Sequence, residues 1–284
     1  MENLLEVRSL CKHYKSFSLD HVDLTVPAGT IVGLIGENGA GKTTTIKAAL
    51  NVVRPDGGTI RLLGGDPADP RCRAGAAVVF EDSYFYGGLT PRQVSRSMAG
   101  ICREWDGDAF DRLCRRFDLL QRQPLKEFSR GMRMKLSLAT ALARHPRLLV
   151  LDEATSGLDP VVRGEILDLF LEFIQDEGCG VLFSSHITTD LERVADQIAY
   201  LHRGRLLFQE DKDTLLEELG VLRCSAADMA TLPEGTVLAR RDGALGASAL
   251  VRDPAQVRRL LPGAVVDRVS IDEMMQFYGG GEAK

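Results

Sequence analysis

Short apolar runs rich in β-branched residues alternate with segments of helical spacing through about residue 220 of this 284-residue chain. Residues 22–26, 30–34, 60–63 and 76–80 predict strands, and residues 42–50 predict a helix. Residues 148–151 and 181–184 are compact and apolar throughout, the pattern of parallel strands covered on both faces. Between them, residues 161–175 carry helical spacing and open on Asp159 and Pro160, a helix-start pair. From about 83 to 147 the strand signal gives way to helical stretches at 91–103, 108–119 and 129–144. This order predicts an α/β fold whose sheet is wrapped by helices and interrupted by a helical insert. Past Gly220 the character changes: Lys is absent until Lys284, and Arg, Gly, Ala and Val dominate. Residues 221–284 therefore read as a small extension of short strands and helices. One helix is expected at 254–261, and another opens at Ser270 with Glu273 in the capping-box spacing.

Composition adds limits. With 44% hydrophobic and 26% charged residues the chain has the balance of a globular protein. A net charge of −5 argues against a nucleic-acid partner, since such proteins usually present a strongly basic face. No apolar run approaches the roughly 18–20 residues of a membrane span. The first residues, with Glu2, Glu6, Arg8 and Lys12, lack the apolar block of a signal peptide. Any membrane role is expected to run through another polypeptide. The 6 cysteines form no CxxC pair and no zinc spacing with His, so they read as reduced, mostly buried small hydrophobes of a cytosolic protein.

The first chemical signal is GENGAGKT at residues 36–43, which fits GxxxxGKS/T between a predicted strand and a predicted helix. Glycines let main-chain N–H groups curl around a phosphate, and the helix start adds partial positive charge. The candidate phosphate-binding residues are Gly36, Asn38, Gly39, Ala40, Gly41, Lys42, Thr43 and Thr44. Lys42 would reach the β/γ oxygens of ATP, and the Thr43 hydroxyl would hold Mg²⁺. The second signal is LLVLDE at 148–153, where an apolar strand carries Asp152 out to the metal. Glu153 comes next, beside the γ-phosphate, where a carboxylate can orient and activate water.

Further motifs narrow the class. FSRGM at 128–132 opens a helix and resembles the signature that reads LSGGQ in its commonest form. SGLD at 156–159 resembles the D-loop, His186 the switch histidine, and Tyr14 the aromatic that stacks on adenine. On this series, residues 1 to about 220 resemble the nucleotide-binding domain of ABC transporters. The resemblance implies a P-loop NTPase (RecA-like) core with an antiparallel β subdomain and a helical subdomain at about 83–147, followed by the α+β extension. It also implies subunits, identical or different, paired head to tail around two ATP molecules. Ser129 and Gly131 would then meet the γ-phosphate held by the other subunit, Asp159 would join the nucleotide site, and His186 would bridge the γ-phosphate and the attacking water.

Two positions depart from the common pattern. Arg130 and Met132 in the signature look like the ABC-2 type exporters of drug and peptide-antibiotic efflux, and Glu81 stands where the family usually has Gln. Glu81 is expected to join Thr43 and Asp152 at the metal. Its extra negative charge is expected to weaken metal-free ATP binding. Tyr84, Phe85 and Tyr86 would suit a groove receiving a partner's coupling helix, or else pack within the helical insert. The tail resembles the C-terminal extension of such exporters, with a role in dimer packing.

The sequence thus predicts an ATPase subunit at the cytoplasmic face of the membrane, held there by a separate permease. The alternative is a soluble ABC ATPase acting on ribosomes, DNA or cluster assembly. Against it stand a single ATPase unit, no long coiled-coil insert and no basic tail. A catalytically silent regulatory subunit is disfavoured because Lys42, Thr43, Asp152, Glu153 and His186 are all present.

Overall fold

The structure, a computed structural model, describes residues 2–81, 85–243 and 246–280. The chain divides into two compact units, Met1–Ala195 with Ala199–Leu207, and Asp196–Ile198 with Phe208–Lys284. Strands β1 (Asn3–His13) and β2 (Ser18–Pro27) form an antiparallel pair, and β3 (Ile31–Ile35) runs through the glycine-rich loop into α1 (Lys42–Ala49). β4 (Gly57–Leu62) lies on the other side of β1, giving an antiparallel sheet of order β2-β1-β4. After α2 (Pro70–Ala74) and β5 (Ala76–Phe80) comes the helical insert, with α3 (Pro91–Ile101), α4 (Gly107–Arg116) and α5 (Arg130–Leu142). The alternation then resumes with β6 (Leu148–Asp152), α6 (Pro160–Phe173), β7 (Gly180–Ser184), α7 (Thr188–Val194), β8 (Gln197–His202) and β9 (Arg205–Asp211).

Among the described residues the second sheet has the order β5-β6-β7-β3-β8-β9, with β5, β6, β7 and β3 parallel. Every residue of β3, β6 and β7 is buried, which is why their sequences are apolar up to the closing Asp152 of β6 and Ser184 of β7. The crossovers need helices, and the helix starts are written locally. Asp159 accepts from the Val161 and Val162 N–H groups at the head of α6, where Pro160 pre-sets the first turn. Thr90 and Gln93 form a reciprocal capping box at α3. In the insert, the Trp105 and Phe110 rings pack 5.2 Å apart, and burial pushes the Cys114 thiol up to about 12. That thiol serves as a packing group.

In the second unit, α8 (Lys212–Glu218), β10 (Leu219–Cys224), α9 (Ala226–Met229), β11 (Val237–Gly243), β12 (Gly246–Arg252), α10 (Pro254–Leu260), β13 (Val265–Arg268) and α11 (Ile271–Gly280) succeed one another along the chain. Its sheet has the order β11-β12-β10-β13, and Leu222, Val251, Val257 and Val266 contribute to its own core. Ser270 and Glu273 make the expected reciprocal bonds at α11, Glu273 N–H to Ser270 Oγ and Ser270 N–H to Glu273 Oε2, both 3.2 Å.

The sequence reading placed no strand at β1, and the pairing shows why. Its register shifts between Val7 and Leu10 and again between Leu10 and Lys12, and Ser9 has φ 48°. These irregularities break the two-residue alternation although Leu4, Leu5, Val7 and Leu10 are all buried. The cysteines also differ from expectation: all are free, but only Cys114 and Cys179 are buried, the other four being half-buried. Among the described residues no helix is long and apolar enough to cross a membrane.

Candidate functional site

Parallel register brings the carboxyl ends of the central strands level. The Cα atoms of Phe80 and Asp152 pair across β5 and β6, Asp152 and Ser184 pair across β6 and β7, and Leu34 pairs with Ser184 across β3 and β7. The residues just past these strand ends therefore gather on one edge of the sheet: Glu81, Glu153, the Ser185–His186 step and the loop from Gly36 to Gly41. Ligands of open α/β sheets lie at this edge.

The glycine-rich loop is held from below. Gly36 has φ 156°, and a Cβ there would lie 2.2 Å from the Leu201 carbonyl oxygen. The Gly204 N–H donates to the Ala40 carbonyl at 3.0 Å, so the turn between β8 and β9 props the loop. Position 204 in turn requires glycine, both for its φ of 82° and because a Cβ would lie 1.9 Å from the Ser18 carbonyl oxygen. On the open side Glu37, Asn38 and Gly39 are exposed, and a Cβ at Gly39 would meet nothing within 4 Å. A cradle of main-chain groups, closed beneath and open above, suits a phosphate chain.

Lys42 is buried, and its Nζ donates to the Gly36 carbonyl at 2.7 Å, curling back over the loop. Thr43 Oγ1 donates to Asp152 Oδ2 at 2.7 Å, and Ser184 Oγ donates to Asp152 Oδ1 at 2.6 Å. A hydroxyl beside a buried carboxylate is a hard-oxygen donor set that fits Mg²⁺. Thr44 is half-buried on the next position of α1. Glu153 has φ 55° and a side chain only 15% exposed; its main-chain N–H donates to the Ser184 carbonyl at 3.0 Å. Its Oε1 lies 3.5 Å from Lys42 Nζ and its Oε2 lies 2.6 Å from His186 Nδ1. The carboxylate is thus gripped between a buried ammonium and an exposed imidazole, at a strained backbone position of the kind found in active sites.

The remaining predicted residues surround this centre or lie apart from it. Tyr14 lies in the β1–β2 turn, 47% exposed, with its N–H donating to the Phe17 carbonyl and Lys12 Nζ 5.7 Å from its ring centroid. Ser129 is exposed at the N-cap of α5 and accepts from the Met132 N–H at 3.2 Å. Gly131 is buried, and a Cβ there would lie 3.2 Å from Val162 Cγ1 of α6. Asp159 is exposed and engaged in capping α6. Glu81 points to a group the sequence reading did not pair with it: Arg130 Nη2 donates to Glu81 Oε1 at 2.7 Å. Phe85 is half-buried and Tyr86 is 78% exposed, while Tyr84 lies outside the described residues.

Sequence reasoning also missed Ser184, whose signal was a polar residue ending an otherwise apolar strand. It missed Asp190 of α7 as well, a buried carboxyl whose pKa burial raises above its ordinary value, against the opposing effects of the Thr155 hydroxyl and of the Arg163 guanidinium 4.0 Å away. Arg163 Nη2 in turn donates to the Leu158 carbonyl at 3.3 Å, tying the segment after His186 to the SGLD loop.

Comparison with known proteins agrees with this geometry. Residues 19–156 match the family described as ABC transporter. The chain is 33% identical over 217 residues to the bacitracin transport ATP-binding protein BcrA of Bacillus licheniformis, spanning 73% of this chain and 69% of that one. It is 32% identical over 287 residues to the daunorubicin/doxorubicin resistance ATP-binding protein DrrA of Streptomyces peucetius, spanning 90% and 83%. This chain belongs to the ABC transporter family. A solved ATP-binding subunit of an ABC transporter superposes on it with TM-score 0.68 at 32% identity, covering 75% of this chain and 91% of that one. A nucleotide-free ATP-binding cassette superposes with TM-score 0.66 at 18% identity, a likeness of fold alone.

As an ABC transporter ATP-binding subunit it binds nucleotide and hydrolyses ATP in support of transport, with a membrane partner. Its resemblance to the ABC-2 type exporters stands with these relatives, and the soluble alternative does not.

Proposed function

We propose that residues 1–220 act as the nucleotide-binding domain of an ABC-2 type exporter, driving export of a drug or peptide antibiotic through a separate permease. Residues 221–284 would form an extension that packs the dimer. Two subunits would join head to tail on the cytoplasmic face of the membrane. The observation that carries the reading is the pair of linked clusters at one sheet edge: Thr43, Asp152 and Ser184, and Lys42, Glu153 and His186.

In this reading the exposed Tyr14 ring receives adenine, and the loop N–H groups from Asn38 to Thr44 and the Lys42 ammonium hold the phosphates. Thr43 and Asp152, with Glu81 as a further candidate, would hold Mg²⁺, which when bound would draw negative charge off the phosphates. Glu153 orients the attacking water and takes up its proton; His186, already on Glu153 Oε2, fixes that carboxylate. The water oxygen bonds to the γ-phosphorus as the bond to the ADP oxygen breaks. Ser129 and Gly131 at the start of α5 would meet the partner's γ-phosphate, since helix N–H groups favour an anion, and Asp159 would stand beside it. The proposed substrate class is supported by two relatives, one named for bacitracin transport and the other for daunorubicin/doxorubicin resistance.

The permease contact is proposed at the loop after β5. Phe85 lines a groove of about 170 Å³ with Val78, Phe80, Met98 and Arg144, and Tyr86 stands out beside it. Phe85→Ala with Tyr86→Ala is expected to move the chain from the membrane to the soluble fraction when the permease is co-expressed, with ATP binding retained. Fractionation, with an ATP-binding assay on each fraction, checks this. Retention on the membrane sends the permease contact elsewhere, and unfolding of the variant makes the rings core.

A further inference from the structure

The two departures from the common family pattern meet in space. Arg130, at the first position of α5, donates from Nη2 to Glu81 Oε1 at 2.7 Å across 49 residues of sequence. The same guanidinium lies over the SGLD loop: a Cβ on Gly157 would fall 2.7 Å from Arg130 Nη1 and 3.0 Å from its Cζ. Gly157 leaves room for it. Glu81 comes directly after Phe80, whose Cα pairs with that of Asp152, so its carboxylate stands at the edge that already holds Asp152 and Glu153. A further free negative charge there would repel a triphosphate. A neutral Gln at position 81 would need no counter-charge, and a small residue at position 130 would supply none. Each unusual residue accounts for the other.

We propose that Arg130 is a positioning residue for the nucleotide site: lying over Gly157, it holds Glu81 and neutralises it, so that an acidic side chain is tolerated beside the triphosphate. The inference rests on the assignment of this edge as the ATP site. It revises the sequence expectation for Glu81, whose charge is screened by its partner. Both side chains are about half exposed (49% for Glu81 and 48% for Arg130), so the pair is weak enough to open and close, and its effects are modest.

The test measures affinity for metal-free ATP on the full-length chain by fluorescence titration, together with amide hydrogen exchange of the nucleotide-free protein. Arg130→Gln is expected to weaken metal-free ATP binding about threefold, within the range of an exposed ion pair, because it leaves Glu81 unpaired. Adding Glu81→Gln to it is expected to restore binding. Glu81→Gln alone is expected to change binding by less than about twofold, since Arg130 already screens that charge. Arg130→Lys keeps a cation and is expected to stay close to the parent.

Hydrogen exchange at residues 129–133 is expected to rise by a similar factor in Arg130→Gln and in Glu81→Gln, and no further in the double variant. The proposal is overturned if Glu81→Gln improves binding equally in both backgrounds, or if the exchange effects simply add. Should the parent bind no ATP at all, the nucleotide-site reading fails, and the exchange measurements still decide whether the pair exists.

Discussion

Glu153→Gln is expected to bind ATP yet turn it over at least ~100-fold more slowly than the parent, the range lost with a positioned base. The expectation comes from geometry and charge together. Glu153 is a carboxylate at the sheet edge engaged on both oxygens, by the Lys42 ammonium at 3.5 Å and by the His186 imidazole at 2.6 Å, and its backbone has φ 55°. Gln preserves size and one acceptor oxygen, so the loop and Lys42 keep their places and binding survives. The loss is of a group able to accept the water proton. Single-turnover phosphate release, with ATP binding measured in parallel, checks both halves. Near-parental turnover assigns the base elsewhere, and loss of binding makes Glu153 a structural clamp on Lys42.

The second large effect concerns the dimer. In the Glu153→Gln background ATP is expected to accumulate a closed pair of subunits, and Ser129→Arg is expected to abolish it. Ser129 is exposed at the N-cap of α5, and the head-to-tail pairing proposed for the subunits sets it against the partner's γ-phosphate. A long side chain there would fill the space the phosphate needs. Ser129 also caps its own helix, and losing a cap costs about 1 kcal/mol by itself. Ser129→Ala therefore serves as the comparison, since it loses the cap and the hydroxyl's own phosphate contact without adding bulk, and it is expected to weaken the dimer less than Ser129→Arg. Light scattering with and without ATP reads the result. A dimer that forms equally without ATP would point to residues 221–284 as its main contact.

Much of the fold was legible because the central strands are buried on both faces. β3, β6 and β7 read as compact apolar runs, and the residues at and just beyond their ends carry the motifs. The caps at Asp159 and Ser270 were equally local, each satisfied within three residues. β1 was not legible, because its bulges spoil the period on which strand recognition depends. Contacts between distant segments were beyond the sequence as well. No spacing rule joins Glu81 to Arg130, Gly204 to Ala40, or Gly131 to Val162; parallel register and the return of α5 and α6 bring them together. Glu81 is the instructive position. Its chemistry suggested a metal ligand, a role still proposed for it, but the Arg130 guanidinium beside it is a neighbour that only the fold could name.

The most direct test is phosphate release from ATP by the purified chain, with and without Mg²⁺, beside the variant Lys42→Ala. Lys42 is a buried ammonium common to the glycine-rich loop and to Glu153. The account predicts hydrolysis that requires Mg²⁺ and falls to background in Lys42→Ala while the variant remains folded by circular dichroism. Hydrolysis independent of Mg²⁺, or undiminished in Lys42→Ala, would contradict it.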